Sequence, residues 1–135
     1  MTGQQDLAEV IDVLERYFDG LYHASSKKLA GVFHPDARYI NTTDGDYMNY
    51  SMSEYFAIVD LRKPPAEKGE ERRDNIISIE FGNDRMAFAK VSMTMLGRHY
   101  LDFLTLTFDE GQCRIMCKVF SYTTNSGEIN AIHQY

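Results

Sequence analysis

Arg98-His99-Tyr100-Leu101-Asp102-Phe103-Leu104-Thr105-Leu106-Thr107-Phe108 is followed by Asp109-Glu110-Gly111. After that turn runs Gln112-Cys113-Arg114-Ile115-Met116-Cys117-Lys118-Val119-Phe120-Ser121-Tyr122-Thr123-Thr124. Both runs are rich in β-branched and aromatic residues, and Asp-Glu-Gly supplies the turn, so the stretch reads as two long strands joined by a hairpin. Working backward, Gly97 separates this hairpin from a strand over Arg85 to Leu96. Gly82-Asn83-Asp84 separates that strand from Ile76-Ile77-Ser78-Ile79-Glu80-Phe81. Four strands with short connections predict an antiparallel meander.

The N-terminal half changes period. Leu7, Val10, Ile11, Leu14, Phe18, Leu21 and Tyr22 recur at steps of three and four, which predicts an amphipathic helix, capped by Asp6 and ending near His23-Ala24. Ser25 or Ser26 caps a short second helix through Phe33, which Pro35 stops. Asp36 to Ile40 reads as a short strand, Asp44-Gly45 as a hairpin turn, and Tyr47 to Tyr50 as the returning partner. Ser51 or Ser53 caps a third helix. Glu54 lies three residues past Ser51, the spacing of a capping box. Tyr55, Phe56, Ile58, Val59 and Leu61 supply that helix's apolar face, Pro64-Pro65 ends it, and Lys63 to Asp74 reads as an exposed loop. Helices first and a meander last predict an α+β fold: three N-terminal helices packed on one face of a strongly curved antiparallel sheet, closing a cone. At 135 residues, one domain spanning 1–135 is expected, with a core over about 7–122 and an undecided tail at 125–135.

Alternation assigns the faces. Arg98, Tyr100, Asp102, Leu104, Leu106 and Phe108 share one side of their strand; His99, Leu101, Phe103, Thr105 and Thr107 share the other. Both sides carry large apolar groups, so both are expected to be covered, one by helices and the other by a second copy in a homodimer. Asp102 sits mid-strand among apolar neighbours. In the final strand Arg114, Met116, Lys118 and Phe120 share a face by strict alternation. With Asp109 opposite Gln112, Asp102 faces a residue near position 119, and a one-residue bulge brings Lys118 within reach. A buried carboxylate must be paired or neutral. Three uses of such a pair remain open: a structural ion pair, a pair lining a ligand pocket, and a catalytic group.

Composition removes several function classes. The net charge of -6, with no basic cluster, argues against nucleic acid and anionic membrane surfaces. No apolar run reaches the roughly 18 residues a membrane span needs. The polar, acidic start lacks the order of a signal peptide, so a cytoplasmic protein is expected. Cys113 and Cys117 are four residues apart on one strand, about 13 Å between Cα atoms, too far for a disulfide. His23, His34, His99 and His133 lack metal-ligand spacing, and no metal or other cofactor is expected.

The ordered segments Tyr17-Phe18-Asp19-Gly20-Leu21-Tyr22-His23, Val32-Phe33-His34-Pro35-Asp36-Ala37, Tyr100-Leu101-Asp102-Phe103-Leu104-Thr105-Leu106 and Arg114-Ile115-Met116-Cys117-Lys118-Val119-Phe120 resemble the "putative lumazine-binding" family. That family is a branch of the nuclear-transport-factor-2-like superfamily, alongside polyketide-cyclase-like and ketosteroid-isomerase-like proteins. The resemblance covers about Leu7 to Tyr122. It implies a conical α+β fold, a homodimer packed sheet to sheet, and a pocket between the first and third helices and the concave sheet face. In the isomerase-like branch the catalytic base is an Asp on the strand after the Asp36-Ala37 segment. The matching position here is Asn41 or a neighbour, and Asn does not serve as a general base.

The candidate ligand-binding set is Tyr17, Tyr22, Tyr39, Tyr55, Tyr100, Asp102, Lys118 and Phe120: aromatic walls with a few polar groups, the usual make-up of a small-molecule site. Asp102 and His34 are the candidate general bases. The expected function is non-catalytic binding of a small hydrophobic or aromatic molecule. The alternatives are a proton-transfer enzyme of isomerase, dehydratase or cyclase type acting on a small carbonyl compound, and a protein-interaction scaffold.

Overall fold

The structure, a computed structural model, describes residues 3–124. The tail at 125–135, left undecided above, lies outside the described residues. In chain order the elements are α1 (Gly3–Tyr22), α2 (Ser26–Ala30), β1 (Phe33–Asn41), β2 (Met48–Ser51), α3 (Met52–Leu61), β3 (Arg73–Asn83), β4 (Met86–Met95), β5 (Arg98–Asp109) and β6 (Gln112–Thr124). The expected α+β class holds, and the last four strands are the expected meander. They belong to one six-stranded sheet ordered β2-β1-β6-β5-β4-β3.

One expectation about the sheet is corrected. β1 lies parallel to β6, so the sheet is mixed rather than antiparallel. No hairpin links these two strands, and the long intervening chain leaves their mutual direction free of any turn. β1 also starts earlier than expected. It runs through Pro35, where the second helix was expected to stop; that helix ends at Ala30. The strand tolerates proline because its ladder to β6 is interrupted between Phe33 and Arg38, so no donor is needed there.

The tight turns follow the sequence signals. Leu96-Gly97 and Glu110-Gly111 are two-residue loops with positive φ at both positions (55° and 75°; 53° and 72°). That geometry is the hairpin turn whose twist matches the flanking strands. Ser51 caps α3 in a reciprocal box with Glu54. α2 presses Leu29 against α1 at Gly20, where an added Cβ would lie 2.8 Å from Leu29 Cδ2.

The helical faces needed revision. Asp6 lies inside the first turn of α1 rather than at its cap. Leu7 and Ile11 are exposed, while Val13 and Tyr17 join Val10, Leu14, Phe18 and Leu21 in the core. On α3, Leu61 is exposed and the buried residues are Met52, Tyr55 and Val59. Local period placed each stripe only to within one helical step, and the sheet decided which edge of it to bury. Ala87, Ala89, Val91, Met93 and Met95 of β4 point toward the helices, with Tyr100, Asp102, Leu104, Leu106 and Phe108 of β5. Cys113 and Cys117 are free thiols on β6, and burial pushes the Cys113 thiol up to about 12. Among the described residues no helix is long and apolar enough to cross a membrane.

Candidate functional site, a lysine–aspartate pair in an aromatic box

The β5–β6 ladder starts with Asp109 opposite Gln112 and shifts register between Thr105 and Leu106. Thr105 then pairs with Cys117 and Leu106 with Ile115, which leaves Met116 as the extra residue of a bulge. The bulge changes which β6 residues face the helices. Before it Cys113 and Ile115 are buried; after it Lys118 and Phe120 are. Arg114 and Met116, expected on the Lys118 face, are not on it, because strict alternation fails across a bulge. Beyond it Asp102 pairs with Phe120 and Leu104 with Lys118, so Asp102 and Lys118 are diagonal neighbours on the inner face.

Asp102 is 0% exposed and Lys118 4%. Lys118 Nζ lies 3.8 Å from Asp102 Oδ2. The same oxygen accepts the Tyr17 hydroxyl at 2.5 Å, so α1 closes onto the pair through Tyr17. Four rings surround Nζ: Phe120 at 4.9 Å, Tyr17 at 5.1 Å, Tyr39 at 5.2 Å and Tyr55 at 5.5 Å. Tyr39 and Tyr55 stack with centroids 4.1 Å apart. Two buried polar atoms in this box have no hydrogen-bond partner, Asp102 Oδ1 and the Tyr55 hydroxyl. Buried polar groups are nearly always paired, so two orphans beside one ion pair call for an explanation.

Electrostatics follow from burial. Desolvation raises the Asp102 carboxyl, opposed by Lys118 and by the Tyr17 hydrogen bond. It lowers the Lys118 ammonium to about 8, opposed by Asp102. Both shifts run toward the neutral forms, because the hydration each charge loses outweighs what its neighbours return. Burial also pushes Tyr39 up to about 12 and Tyr17 and Tyr55 well above the ordinary phenol.

Of the expected ligand-binding set, Tyr17, Tyr39, Tyr55, Asp102, Lys118 and Phe120 meet in this box. Tyr100 borders it, 6.0 Å ring to ring from Phe120. Tyr22 does not join it; its hydroxyl donates to the Glu70 carbonyl at 2.5 Å. His34 is likewise elsewhere. It sits in β1, not at a helix end, and its Nδ1 accepts the Asp36 backbone N–H at 3.0 Å. Asn41 is buried, and its side chain holds the β1–β2 turn through Thr43 N and Asp46 Oδ2.

Sequence reasoning missed Arg62. This residue caps the end of α3 close to the phenols of Tyr39, Tyr55 and Tyr100, which favour its charge against burial. Its only sequence signal was a cation at a helix C-terminus, which solvated residues share.

Helices laid on one face of a six-stranded mixed sheet define the nuclear-transport-factor-2-like, or cystatin-like, class of fold. An NTF-2 like protein of unknown function from Silicibacter pomeroyi superposes with TM-score 0.79 over 91% of this chain and 100% of that chain, at 22% identity. An NTF2-like protein of unknown function from Shewanella baltica gives 0.80 over 91% and 98%, at 21% identity. A ketosteroid isomerase-like protein from Erwinia carotovora atroseptica gives 0.68 over 88% and 97%, at 11% identity. Residues 5–121 match the model of the family described as "putative lumazine-binding", and the chain belongs to that family. No curated protein matches it in sequence.

Proposed function

We propose that this chain is a small-molecule-binding domain whose ligand enters the aromatic box around Lys118 and Asp102. The orphaned Asp102 Oδ1 and Tyr55 hydroxyl carry this reading. A core selected for stability alone gains from replacing a buried ion pair by apolar side chains. Here a carboxylate and a phenol are buried with bonding capacity unused, beside a nearly buried amine. Four register shifts in the sheet, in β1, β3 (twice) and β6, would bend it around the box and form the cone. The ligand is small, aromatic or carbonyl-bearing.

A second reading has its own observation. Asp102 is raised by burial and bonded to Tyr17, as suits a general base acting on a carbonyl compound. A thermal-shift screen against aromatic acids, pterins, flavins and small ketones tests both. A ligand at a hundredfold excess over its Kd adds about 2.7 kcal/mol to stability. Binding retained in Asp102→Asn without turnover supports the domain reading; turnover lost in Asp102→Asn supports the enzyme. No shift from any class would return the box to a packed core on a protein-interaction scaffold. We further propose that the outer sheet face, with Leu101 and Phe103 exposed, packs on a second copy of the chain.

A further inference from the structure

We propose that Lys118 is a carbonyl-reactive amine, and that the box takes a small aldehyde or ketone which Nζ captures as an imine. The inference rests on the reading that the box admits a small molecule, and it names the chemistry of that molecule. Nζ forms no hydrogen bond among the described residues. The Asp102 oxygen facing it is 3.8 Å away, beyond bonding distance, and is already taken by Tyr17. An amine held this way keeps its lone pair, once deprotonated, free of any donor.

The two orphans match the needs of the reaction. A carbonyl carbon placed at Nζ lies among the four rings, in surroundings that exclude water. The Tyr55 hydroxyl can donate to the carbonyl oxygen, and Asp102 Oδ1 can accept the proton that the nitrogen sheds. The neutral amine adds to the carbonyl carbon, forming the C–N bond and a carbinolamine. The C–O bond then breaks, and the oxygen leaves as water with the two hydrogens the nitrogen has lost. A C=N bond remains; nothing is oxidised or reduced. Burial sets the amine near 8, so about a tenth is neutral at pH 7, against well under a hundredth for an exposed lysine.

Reductive trapping on the full chain tests this. Benzaldehyde and propanal are added separately at pH 7.5 with sodium cyanoborohydride, and alkylated lysines are mapped by mass spectrometry over time. Lys27 and Lys28, both exposed, are internal references. A lysine that is merely buried would be the slowest to label. The expected result is Lys118 modified first, roughly tenfold or more ahead of the references, with one adduct per chain. Labelling of Lys118 no faster than Lys27 or Lys28 overturns the inference. Thermal shifts with benzaldehyde and benzyl alcohol, without reductant, separate the two readings. If both compounds stabilise the fold and Lys118 stays unmodified, the box binds and the imine chemistry fails. If neither stabilises it and Lys118 stays unmodified, both readings fail.

Discussion

At the scale of the residue, the Lys118–Asp102 pair is a cost that the surrounding core carries. Removing one partner leaves the other buried without compensation. Lys118→Met and Asp102→Leu are each expected to destabilise by about 3–5 kcal/mol, while the double variant recovers most of that loss. Urea unfolding of the three variants measures it; a double variant as unstable as the sum of the singles would show that the two side chains do not act as a pair. The pH response has a definite sign. Between about 8 and its ordinary 10.5, Lys118 is more protonated in the unfolded chain, so its contribution to stability rises with pH in that window. Asp102 has the opposite sign: from its ordinary 3.8 upward to its raised folded value, the folded chain holds the extra proton, and stability falls as pH rises. Stability of the wild type minus that of Lys118→Met should climb from pH 8 to 10 by at most about 1.4 kcal/mol per unit. A flat difference would mean that the amine is hydrated in the folded state.

At the scale of the element, β6 decides the site through one residue. Met116 is the bulge, half-buried and outside the ladder count. Met116→Ala trims contacts without altering register, and is expected to cost about 1 kcal/mol or less. Deleting Met116 removes the extra residue, so Ile115 and Lys118 stand two positions apart and strict alternation keeps Lys118 and Phe120 on the face they share with Asp102. The deletion variant is therefore expected to unfold cooperatively in urea, about 1–3 kcal/mol less stable than the wild type. Loss of the cooperative transition would mean that the fold needs the bulge itself and not only the parity it sets.

For the whole molecule, the outer sheet face is the open question of assembly. Leu101 and Phe103 are 38% and 40% exposed on it, Phe88 packs edge-on against Phe103, and Lys90 lies over the same ring. If a second copy covers this face, sedimentation at micromolar concentration gives twice the chain mass. Leu101→Glu with Phe103→Glu should then yield a folded monomer with unchanged far-ultraviolet dichroism. A monomeric wild type would leave these side chains as isolated surface groups.

Much of this architecture was legible in the chain alone, and each legible part was local. The meander, the turns at Gly97 and at Glu110-Gly111, the Ser51–Glu54 capping box and the inward face of β5 rest on period and on neighbours a few residues apart. Asp102 stood out for the same reason, as a carboxylate on an apolar face. What only the tertiary structure decided is non-local. The parallel docking of β1 on β6 brings Tyr39 to Lys118, and no turn signal encodes it. The bulge at Met116 reverses the parity of a strand whose alternation continues unbroken in the sequence. Arg62 lies beside the phenols of two other elements, Tyr39 of β1 and Tyr100 of β5, and of Tyr55 in its own helix, from a position that reads as solvated. The site exists because these long-range placements converge, and convergence costs chain entropy that only the packed core of the whole fold repays.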